Sequence, residues 1–394
     1  MASMNELFYK DPYCREFEAK VVACNEGKKG FEVELEDTAF YPEGGGQLAD
    51  HGKLGDAQVF DVRRTGGRIL HFTDKALEVG STVKGVLDWD RRFDNMQNHT
   101  GEHMFSGLVH QKFKYENVGF HMDDDVLTCD FSGPISDEDL AALEKATNDA
   151  IAANVPVNIF FPSPDELHAM EYRSKKELEG KVRIVDIPGI DRCACCGTHV
   201  RTTGEVGAFK LLSHMKHRGG VRVEFVCGQR ALRSFGKKIE QAQKISQLLS
   251  VKPDEIAAGV EKLLKDGLEK DQRIAALNAR YFDLKAKALP DSGTLLVDFE
   301  EGLSPFEVKK FCSQLAEEKQ FGAIAVLSPA PGATADAPVY SYVIHSASPE
   351  LRDQSKKLNQ MLNGRGGGNG GFVQGSYKAD EKAIRAALTE VFGS

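Results

Sequence analysis

The stretch DNMQNHTGEHMFSGLVHQKF, residues 94–113, marks a change from a strand pattern to a helix pattern. Its apolar residues fall at the three- and four-residue spacings of one helical face, and Asp94 or Asn95 is a candidate N-cap. The predicted helix carries His99 and His103 four residues apart. That spacing places both imidazoles on one face, where they can share a metal ion.

The ninety residues before this stretch are rich in strand patterns. FEVELED (31–37) and STVKGVLDW (81–89) alternate apolar and polar residues with period two, and turns containing Gly and Asp separate such runs. We therefore predict an N-terminal β-barrel over residues 1–90.

The residues that follow combine helix and strand patterns. SDEDLAALEKATNDAIAANV (136–155) is typical of an amphipathic helix with Ser136 as its N-cap and acidic residues in its first turn. Three strands are predicted beyond this helix: 181–189, 205–212 and 219–227. Together these elements predict one α+β domain over residues 91–228.

A long helical segment is predicted over residues 229–290. Its apolar residues keep helical spacing on both sides of Pro253, which either breaks the run or starts a new helix. We expect a long antiparallel hairpin or a dimerising coiled coil, and the second arrangement would make the protein a homodimer.

Residues 291–394 predict a C-terminal α/β domain. Strands at 294–300 and 321–329 flank a helix at 305–319, which is a βαβ pattern. RGGGNGGF (365–372) separates two further helical segments. The fold class expected for the chain is therefore α+β, with a barrel, a mixed core, a helical linker and a C-terminal α/β domain.

Composition restricts the classes of function. The chain of 394 residues has a formal net charge of -9, which argues against non-specific nucleic-acid binding by the whole molecule. No apolar run reaches the roughly 18 residues of a membrane span, and the N-terminus does not read as a signal peptide. We expect a cytoplasmic protein without a membrane partner. Residues 201–244 are locally basic, since ten Lys and Arg stand against three Glu, and form either a solvated face or a phosphate-contacting surface.

Cysteine spacing indicates a metal site. Three cysteines crowd into four residues: Cys193, Cys195 and Cys196. In a reducing compartment such a cluster favours metal binding over a disulfide framework. Cys195 and His199 repeat the four-residue spacing of His99 and His103, and the combined sulfur and nitrogen donors suit Zn²⁺. The alternative is a set of buried core residues without a metal, and spacing alone does not choose among the three cysteines.

The same histidines also fit a peptidase motif. Residues 99–103 match H-x-x-E-H, the inverted zinc-peptidase pattern, in which Glu102 would be the general base. That motif needs a downstream glutamate ligand, whereas the strongest downstream metal signal here is Cys195 with His199. A metallopeptidase is therefore the weaker hypothesis.

Three motifs in a fixed order resemble one family. TAFYPEGGGQLADHG (38–52), NHTGEH (98–103) and CCGTHV (195–200) resemble the editing domain of alanyl-tRNA synthetase and its free-standing relatives, the AlaX editing proteins. The resemblance covers roughly residues 1–230. The last hundred residues, with RGGGNGGF (365–372), look like the DHH-associated domain of the synthetase and of the long AlaX type.

This resemblance implies a zinc-dependent hydrolase that removes the wrong amino acid from tRNA(Ala). Ser-tRNA(Ala) is the expected substrate and Gly-tRNA(Ala) a second one. The family's ligands for one Zn²⁺ carry over to four residues: His99, His103, Cys195 and His199. The resemblance thus selects Cys195 from the cluster. A full synthetase has an aminoacylation domain before its editing domain, whereas these motifs begin within forty residues of the start, so we expect editing in trans without tRNA charging.

The resemblance also assigns residues around the substrate. Thr38 and Gln47 match positions that line the family's editing pocket, where Thr38 would hydrogen-bond a serine hydroxyl and Gln47 would position water or an oxyanion. The substrate-contacting glycines would be Gly44, Gly45 and Gly46. In the C-terminal domain, tRNA contacts are expected at Arg365, Gly366, Gly367 and Gly368, although this glycine segment can equally be a flexible tip.

Two residues depart from the family pattern, and the mechanism stays open. Glu102 stands where the family usually has a small apolar residue, and we expect a salt bridge on the exposed helix face rather than a contact near the metal. Cys196 stands where Gly is usual and is an extra candidate ligand. Four protein ligands form a closed set, so zinc would become five-coordinate, bind Cys195 loosely, or orient the substrate amine. The alternative function is a zinc-containing tRNA- or nucleic-acid-binding protein without hydrolase activity.

Overall fold

The computed structural model describes residues 5–174, 182–334 and 336–393. The chain divides into two compact units, one ending at Pro253 and the other beginning at Asp254. This division falls inside the helical segment predicted over residues 229–290, while the division of the chain into four domains stays a prediction.

The first ninety residues are dominated by a barrel. Their elements are β1 (Asn5–Glu6), α1 (Leu7–Lys10), β2 (Glu16–Gly27), β3 (Gly30–Leu35), β4 (Asp37–Thr38), β5 (Gly52–Leu54), β6 (Ala57–Thr65), β7 (Arg68–Thr73) and β8 (Thr82–Leu87). Six strands close the barrel in the order β2-β3-β7-β6-β5-β8, and β1 pairs with β4 in parallel. Alternate residues of β2 and β7 are buried, as the period-two pattern predicts. The predicted N-terminal β-barrel is confirmed.

Helix α2 (Trp89–Phe113) follows the barrel directly. Its N-cap is Asp88, whose carboxylate accepts a hydrogen bond from the backbone N–H of Arg91 at 3.1 Å. The prediction of an N-cap at Asp94 or Asn95 is therefore wrong, because Asp88 starts the helix earlier. Most of α2 is buried, including the turn that carries both histidines.

The rest of the first unit surrounds α2. Its elements are β9 (Asn117–Met122), β10 (Leu127–Phe131), α3 (Asp137–Ala153), β11 (Asn158–Phe160), α4 (Pro164–Ala169), β12 (Ile184–Ile187), β13 (Asp191–Ala194), β14 (Phe209–His217), β15 (Gly220–Cys227) and α5 (Gly228–Leu249). One sheet has the order β14-β15-β10-β9 and another the order β11-β12-β13. A hydrophobic core between α2, α3 and the larger sheet includes Phe105, Phe209 and Phe225.

The secondary-structure predictions for this part need small corrections. Ser136 caps α3 as predicted, accepting the N–H of Asp139 at 3.1 Å. The strand predicted over 205–212 begins at Phe209, because Thr203–Val206 forms a 3₁₀ helix. The strand predicted over 181–189 is β12, and its first predicted residue lies outside the described residues.

The second unit is an α/β fold preceded by a long helix. Its elements are α6 (Ile256–Ala288), β16 (Ser292–Phe299), α7 (Pro305–Glu318), β17 (Gln320–Pro329), β18 (Tyr340–His345), α8 (Leu351–Met361), β19 (Arg365–Gly367), β20 (Phe372–Tyr377) and α9 (Glu381–Phe392). The sheet order is β16-β17-β18-β20-β19. Strands β16 and β17 are parallel with α7 between them, so the predicted βαβ unit is confirmed.

Among the described residues, no helix combines the length and the apolar character needed to cross a bilayer.

Candidate metal centre

Four side chains with metal-binding atoms meet beside the barrel. Helix α2 contributes His99 and His103, and the segment after β13 contributes Cys195 and His199. Their candidate ligand atoms lie within 4.8 Å of one another. The three imidazoles are buried, and Cys195 is partly buried. Two segments about a hundred residues apart thus form one cluster of three nitrogens and one sulfur, the donor set that Zn²⁺ prefers.

Hydrogen bonds fix two histidines with Nε2 toward the cluster. Nδ1 of His103 lies 2.9 Å from a carboxylate oxygen of Asp191, which only accepts, so Nδ1 carries the hydrogen. Oε1 of Gln47 accepts the backbone N–H of Thr198 at 2.9 Å and therefore also accepts from Nδ1 of His99 at 2.9 Å. Partners of this kind set the tautomer of metal-binding histidines.

The third histidine offers the clearest sign of a missing partner. Nδ1 of His199 lies 3.1 Å from the hydroxyl of Thr100. Its Nε2 is buried and has no hydrogen-bond partner among the described residues. A buried polar atom without a partner costs free energy, and an ion held by the four side chains would satisfy it. The cluster therefore fits a divalent metal.

The electrostatics of the four groups also suit a metal. Burial raises the pKa of Cys195, but the neighbouring His99 and His103 hold it well below its usual range. Burial lowers the pKa of His199 to about 3. Burial also opposes protonation of His103, but the Cys195 thiolate and Asp191 raise its pKa to about 10. Cys195 is thus favoured as a thiolate and His199 as a neutral imidazole, the forms that bind a metal. His103 would release its proton when it binds the ion.

The geometry distinguishes Cys195 from its two neighbours. Cys193 lies near His103 and Asp191, but Asp191 is already paired with Arg173 at 2.7 Å, and burial raises the pKa of the Cys193 thiol well above its usual range. Cys196 is exposed. Of the three cysteines, Cys195 is the one that lies with all three histidines, as the family resemblance implies.

The loop that carries Cys195 is held tightly against α2. A Cβ atom on Gly197 would lie 2.1 Å from Cε1 of His99, so only glycine fits there. Arg183 donates hydrogen bonds of 2.8 Å to the carbonyl oxygens of both Cys195 and Gly197. The loop is thereby fixed on both sides of the exposed Cys196.

The glycine-rich motif forms a tight turn that delivers Gln47 to the cluster. Gly44 and Gln47 exchange two backbone hydrogen bonds of 3.1 and 3.0 Å, while Gly45 and Gly46 have φ of 60° and 85°. A Cβ on Gly46 would lie 2.4 Å from the ring of Phe120, which stacks on His99. The glycines predicted to contact substrate therefore have a structural explanation in the hairpin, and their substrate contact stays a prediction.

Thr38 is buried on β4, and its hydroxyl is hydrogen-bonded to His71 of barrel strand β7. Nδ1 of His71 donates to the carbonyl oxygen of Val33 at 3.0 Å, and burial lowers the pKa of His71 to about 4. Neutral His71 therefore accepts from the Thr38 hydroxyl at 2.8 Å, and the same oxygen accepts the N–H of Phe40 at 3.1 Å. Thr38 is fully buried, and its predicted contact with a serine hydroxyl stays a prediction.

Glu102 is placed differently from the sequence prediction. Its side chain is 1% exposed, so the expected salt bridge on an exposed helix face is wrong. One oxygen accepts from the hydroxyl of Ser106 at 2.8 Å and the amide of Asn117 at 2.6 Å. The other oxygen lies 3.9 Å from Nε2 of His103. Glu102 is thus a neighbour of the metal-binding cluster.

Sequence reasoning missed the residues that support the ligands. Asp191, Thr100 and Thr198 hold His103, His199 and Gln47, respectively. Thr100 and Thr198 each adjoin a predicted ligand in the chain, but nothing in the sequence marks which neighbour faces inward. Asp191 is the first residue of β13, and its partner lies 88 positions away.

The locally basic segment 201–244 divides into paired and exposed cations. Five of its basic residues form ion pairs with acidic side chains: Arg201, Lys210, Arg222, Arg230 and Arg233. The other five are exposed and form no ion pair within the part of the chain that the structure describes: Lys216, Arg218, Lys237, Lys238 and Lys244. About half of the predicted positive surface is therefore available to a phosphate backbone.

The second glycine motif forms an edge strand of the second unit. Arg365 begins β19, which pairs with β20 and is exposed. A Cβ atom on Gly366 would lie 2.3 Å from the backbone oxygen of Gln374, and one on Gly368 would lie 2.1 Å from that of Phe372. Both oxygens belong to β20, so these two glycines permit close strand packing. Gly367 has open space around its Cα. Residues 365–367 thus form a short edge strand, while tRNA contact and the alternative of a flexible tip both stay predictions.

Comparison with known proteins connects this site to a family. The model of the family "Threonyl and Alanyl tRNA synthetase second additional domain" matches residues 182–224, and that of "tRNA synthetases class II (A)" matches residues 9–91. Alanyl-tRNA editing protein Aarsd1 from Danio rerio is 31% identical over 406 residues, covering 96% of this chain and 95% of that protein. Alanyl-tRNA editing protein AlaX-L from Pyrococcus horikoshii is 28% identical over 397 residues, covering 97% and 96%.

Two further matches are partial. Alanine–tRNA ligase from Ignicoccus hospitalis is 35% identical over 274 residues, which are 66% of this chain and 30% of the ligase. The match to the solved C-Ala domain from Aquifex aeolicus alanyl-tRNA synthetase covers 25% of this chain and 91% of that domain, at 18% identity and a TM-score of 0.21.

Proposed function

Because the chain belongs to the family of alanyl-tRNA editing proteins, we propose that it hydrolyses the ester bond of tRNA(Ala) that carries the wrong amino acid. The observation that carries the proposal is the buried cluster of His99, His103, Cys195 and His199, with Gln47 of the glycine turn bonded into it. Relatives that match almost the whole chain are named editing proteins, which supports editing in trans without tRNA charging.

The cluster is proposed to hold one Zn²⁺ per chain. The donors fit that ion, because three nitrogens and one thiolate sulfur converge in a buried site and Nε2 of His199 needs a partner. When bound, Zn²⁺ supplies a Lewis acid that activates water or positions the aminoacyl group.

The residues around the cluster determine how rigid that site is. Gln47 holds His99, and Asp191 holds His103, so neither ring can rotate without breaking a buried hydrogen bond. Gln47 is proposed to act on the reaction mainly through the orientation of His99, since its oxygen accepts two hydrogen bonds and its amide nitrogen donates to the hydroxyl of Thr198. The backbone of Gly44, Gly45 and Gly46 is proposed to border the aminoacyl group.

The expected substrate is Ser-tRNA(Ala), with Gly-tRNA(Ala) as a second substrate. A site that hydrogen-bonds a substrate hydroxyl favours a substrate that carries this group over one that lacks it. Thr38 is the proposed partner of the serine hydroxyl. Its own hydrogen is donated to His71 and one lone pair accepts the N–H of Phe40, so Thr38 would serve as an acceptor only.

The tRNA itself is proposed to contact exposed positive residues. Lys216 and Arg218 lie at the tip of the β14–β15 hairpin, and Lys237 and Lys238 lie on α5. In the second unit, Arg365 with Gly366, Gly367 and Gly368 is the proposed contact, and that unit is proposed to be a DHH-associated domain. Exposed apolar residues on α5 and α6, such as Leu248 and Leu264, are consistent with the proposed homodimer.

A deacylation assay tests the proposed function. Release of amino acid from Ser-, Gly- and Ala-tRNA(Ala) is measured before and after chelation, and again after Zn²⁺ is restored. We expect Ser-tRNA(Ala) to be hydrolysed fastest and Ala-tRNA(Ala) to be spared. Tight tRNA binding without hydrolysis in the zinc-loaded protein would instead indicate a nucleic-acid-binding protein whose zinc is structural.

A further inference from the structure

A buried carboxylate lies beside the metal-binding cluster. Glu102 is on α2 immediately before His103, and its side chain is 1% exposed. Oε1 is anchored by the hydroxyl of Ser106 and the amide of Asn117. Oε2 lies 3.9 Å from Nε2 of His103, the nitrogen that faces the cluster. These two groups are uncharged, and they fix the orientation of the carboxylate.

The ion and its four ligands would together carry a net positive charge that a nearby carboxylate can compensate. A divalent ion bound by one thiolate and three neutral imidazoles leaves a net positive charge in a buried site, and a buried charge without compensation is costly. Asp191 does not remove that charge, because Arg173 pairs with it at 2.7 and 2.9 Å. Arg183 adds a further positive group where it donates to the carbonyl oxygens of Cys195 and Gly197.

We propose that Glu102 compensates the charge of the metal centre and thereby strengthens metal binding as a positioning residue. This inference rests on the proposed metal site, not on the identity of the tRNA substrate. It differs from the base role of the inverted peptidase motif, since the carboxylate acts through His103 and the charge of the ion. Partners just outside the ligand set commonly change metal affinity by about 10–100-fold.

The test compares the unsubstituted protein with Glu102→Gln. The amide keeps the shape of the side chain and an oxygen that accepts from Ser106 and Asn117, but it removes the negative charge. Zn²⁺ affinity is measured by competition with a chromophoric chelator at fixed pH and ionic strength. We expect the Kd of Glu102→Gln to rise about 10–100-fold, while the absorption bands of the Co²⁺-loaded proteins coincide because the four ligands are unchanged.

Two further variants separate charge from packing. Glu102→Asp retains the charge and is expected to keep a Kd closer to that of the unsubstituted protein. Glu144→Gln removes a carboxylate that pairs with Lys210 at 2.6 Å, and is expected to leave the Kd for Zn²⁺ unchanged. Thermal unfolding with and without Zn²⁺ is measured for each, and the zinc-induced rise in Tm should shrink for Glu102→Gln.

The outcomes are distinct. The inference is overturned if Glu102→Gln and the unsubstituted protein bind Zn²⁺ with equal affinity. In that case Glu102→Gln would lower the Tm by the same amount with and without Zn²⁺, as a purely structural residue does. An unsubstituted protein that binds no Zn²⁺ overturns both this inference and the proposed metal site. A protein whose Zn²⁺ affinity depends on Glu102 but which does not deacylate tRNA supports this inference and overturns the proposed function.

Discussion

The side-chain oxygen of Gln47 lies 2.9 Å from Nδ1 of His99, so the glycine turn of the barrel is bonded directly to α2. The same oxygen accepts the backbone N–H of Thr198, next to His199. One side chain therefore joins both halves of the candidate metal centre. Its orientation is fixed because the backbone N–H can only donate.

Replacement of Gln47 is therefore expected to weaken metal binding. In Gln47→Ala the N–H of Thr198 loses its buried acceptor, at a cost of about 1–3 kcal/mol, and the ring of His99 becomes free to rotate. We expect Zn²⁺ affinity to fall about 10–100-fold, measured by chelator competition. Gln58→Ala, an exposed barrel position, is the control. An unchanged Zn²⁺ affinity in Gln47→Ala would contradict this prediction.

Replacement of His103 is expected to abolish deacylation. His103→Ala removes a candidate ligand and leaves Asp191 without one of its buried partners. The measurement is hydrolysis of Ser-tRNA(Ala) together with zinc content per chain. His121→Ala, which makes the same change at an exposed position of β9, should retain both. Full hydrolysis by His103→Ala with no bound zinc would refute a role for the metal.

The three clustered cysteines are expected to differ in their effects. Cys195→Ala should lose zinc, because Sγ lies 3.5 Å from Nε2 of His99. Cys193→Ala should keep zinc and lose about 1 kcal/mol of stability, since it leaves a small buried gap. Cys196 is exposed, so Cys196→Ala should change neither the zinc content nor the stability. Zinc content and urea unfolding check all three, and zinc loss in Cys193→Ala alone would reassign the sulfur ligand.

Local patterns predict much of this fold because they report on one segment at a time. Alternation in residues 31–37 reflects a strand with one face in the barrel core, and Ser136 caps α3 through an N–H only three residues away. The start of α2 was missed because Asp88 follows directly on the last barrel strand, where helix and strand signals overlap.

The candidate site is less accessible to such reasoning. Spacing identifies His99 with His103, since both lie on one helix, but it does not choose a cysteine; the family resemblance does. Asp191 and Glu102 could not be placed, because their burial depends on contacts with segments far away in sequence. Glu102 looks like a surface residue, and only the packing of β9 against α2 puts Asn117 within 2.6 Å of it.

A pH dependence of stability is expected from His71. Burial lowers its pKa to about 4 in the folded protein, whereas the pKa of a histidine in an unfolded chain is about 6.5. The unfolded chain therefore binds more protons between these values, and stability falls as the pH is lowered from about 6.5 to about 4. The loss attributable to His71 is roughly 3 kcal/mol at most. Urea unfolding at several pH values should show a smaller acid loss in His71→Asn, and an identical slope would contradict the assignment.

Removal of exposed positive charge is expected to weaken tRNA binding without affecting the metal centre. Lys216 and Arg218 lie at the tip of a hairpin and form no ion pair within the described ranges. If each contacts a phosphate, Lys216→Ala with Arg218→Ala should lower affinity for tRNA and reduce the slope of log K against log salt by about 1 per contact. Lys145→Ala removes one positive charge, which is paired with Asp149, and is the control. Binding is measured by fluorescence anisotropy at several salt concentrations, and zinc content should stay unchanged. Retention of the full salt slope in the double variant would place the tRNA elsewhere, because counterion release reports each phosphate contact regardless of the tRNA sequence.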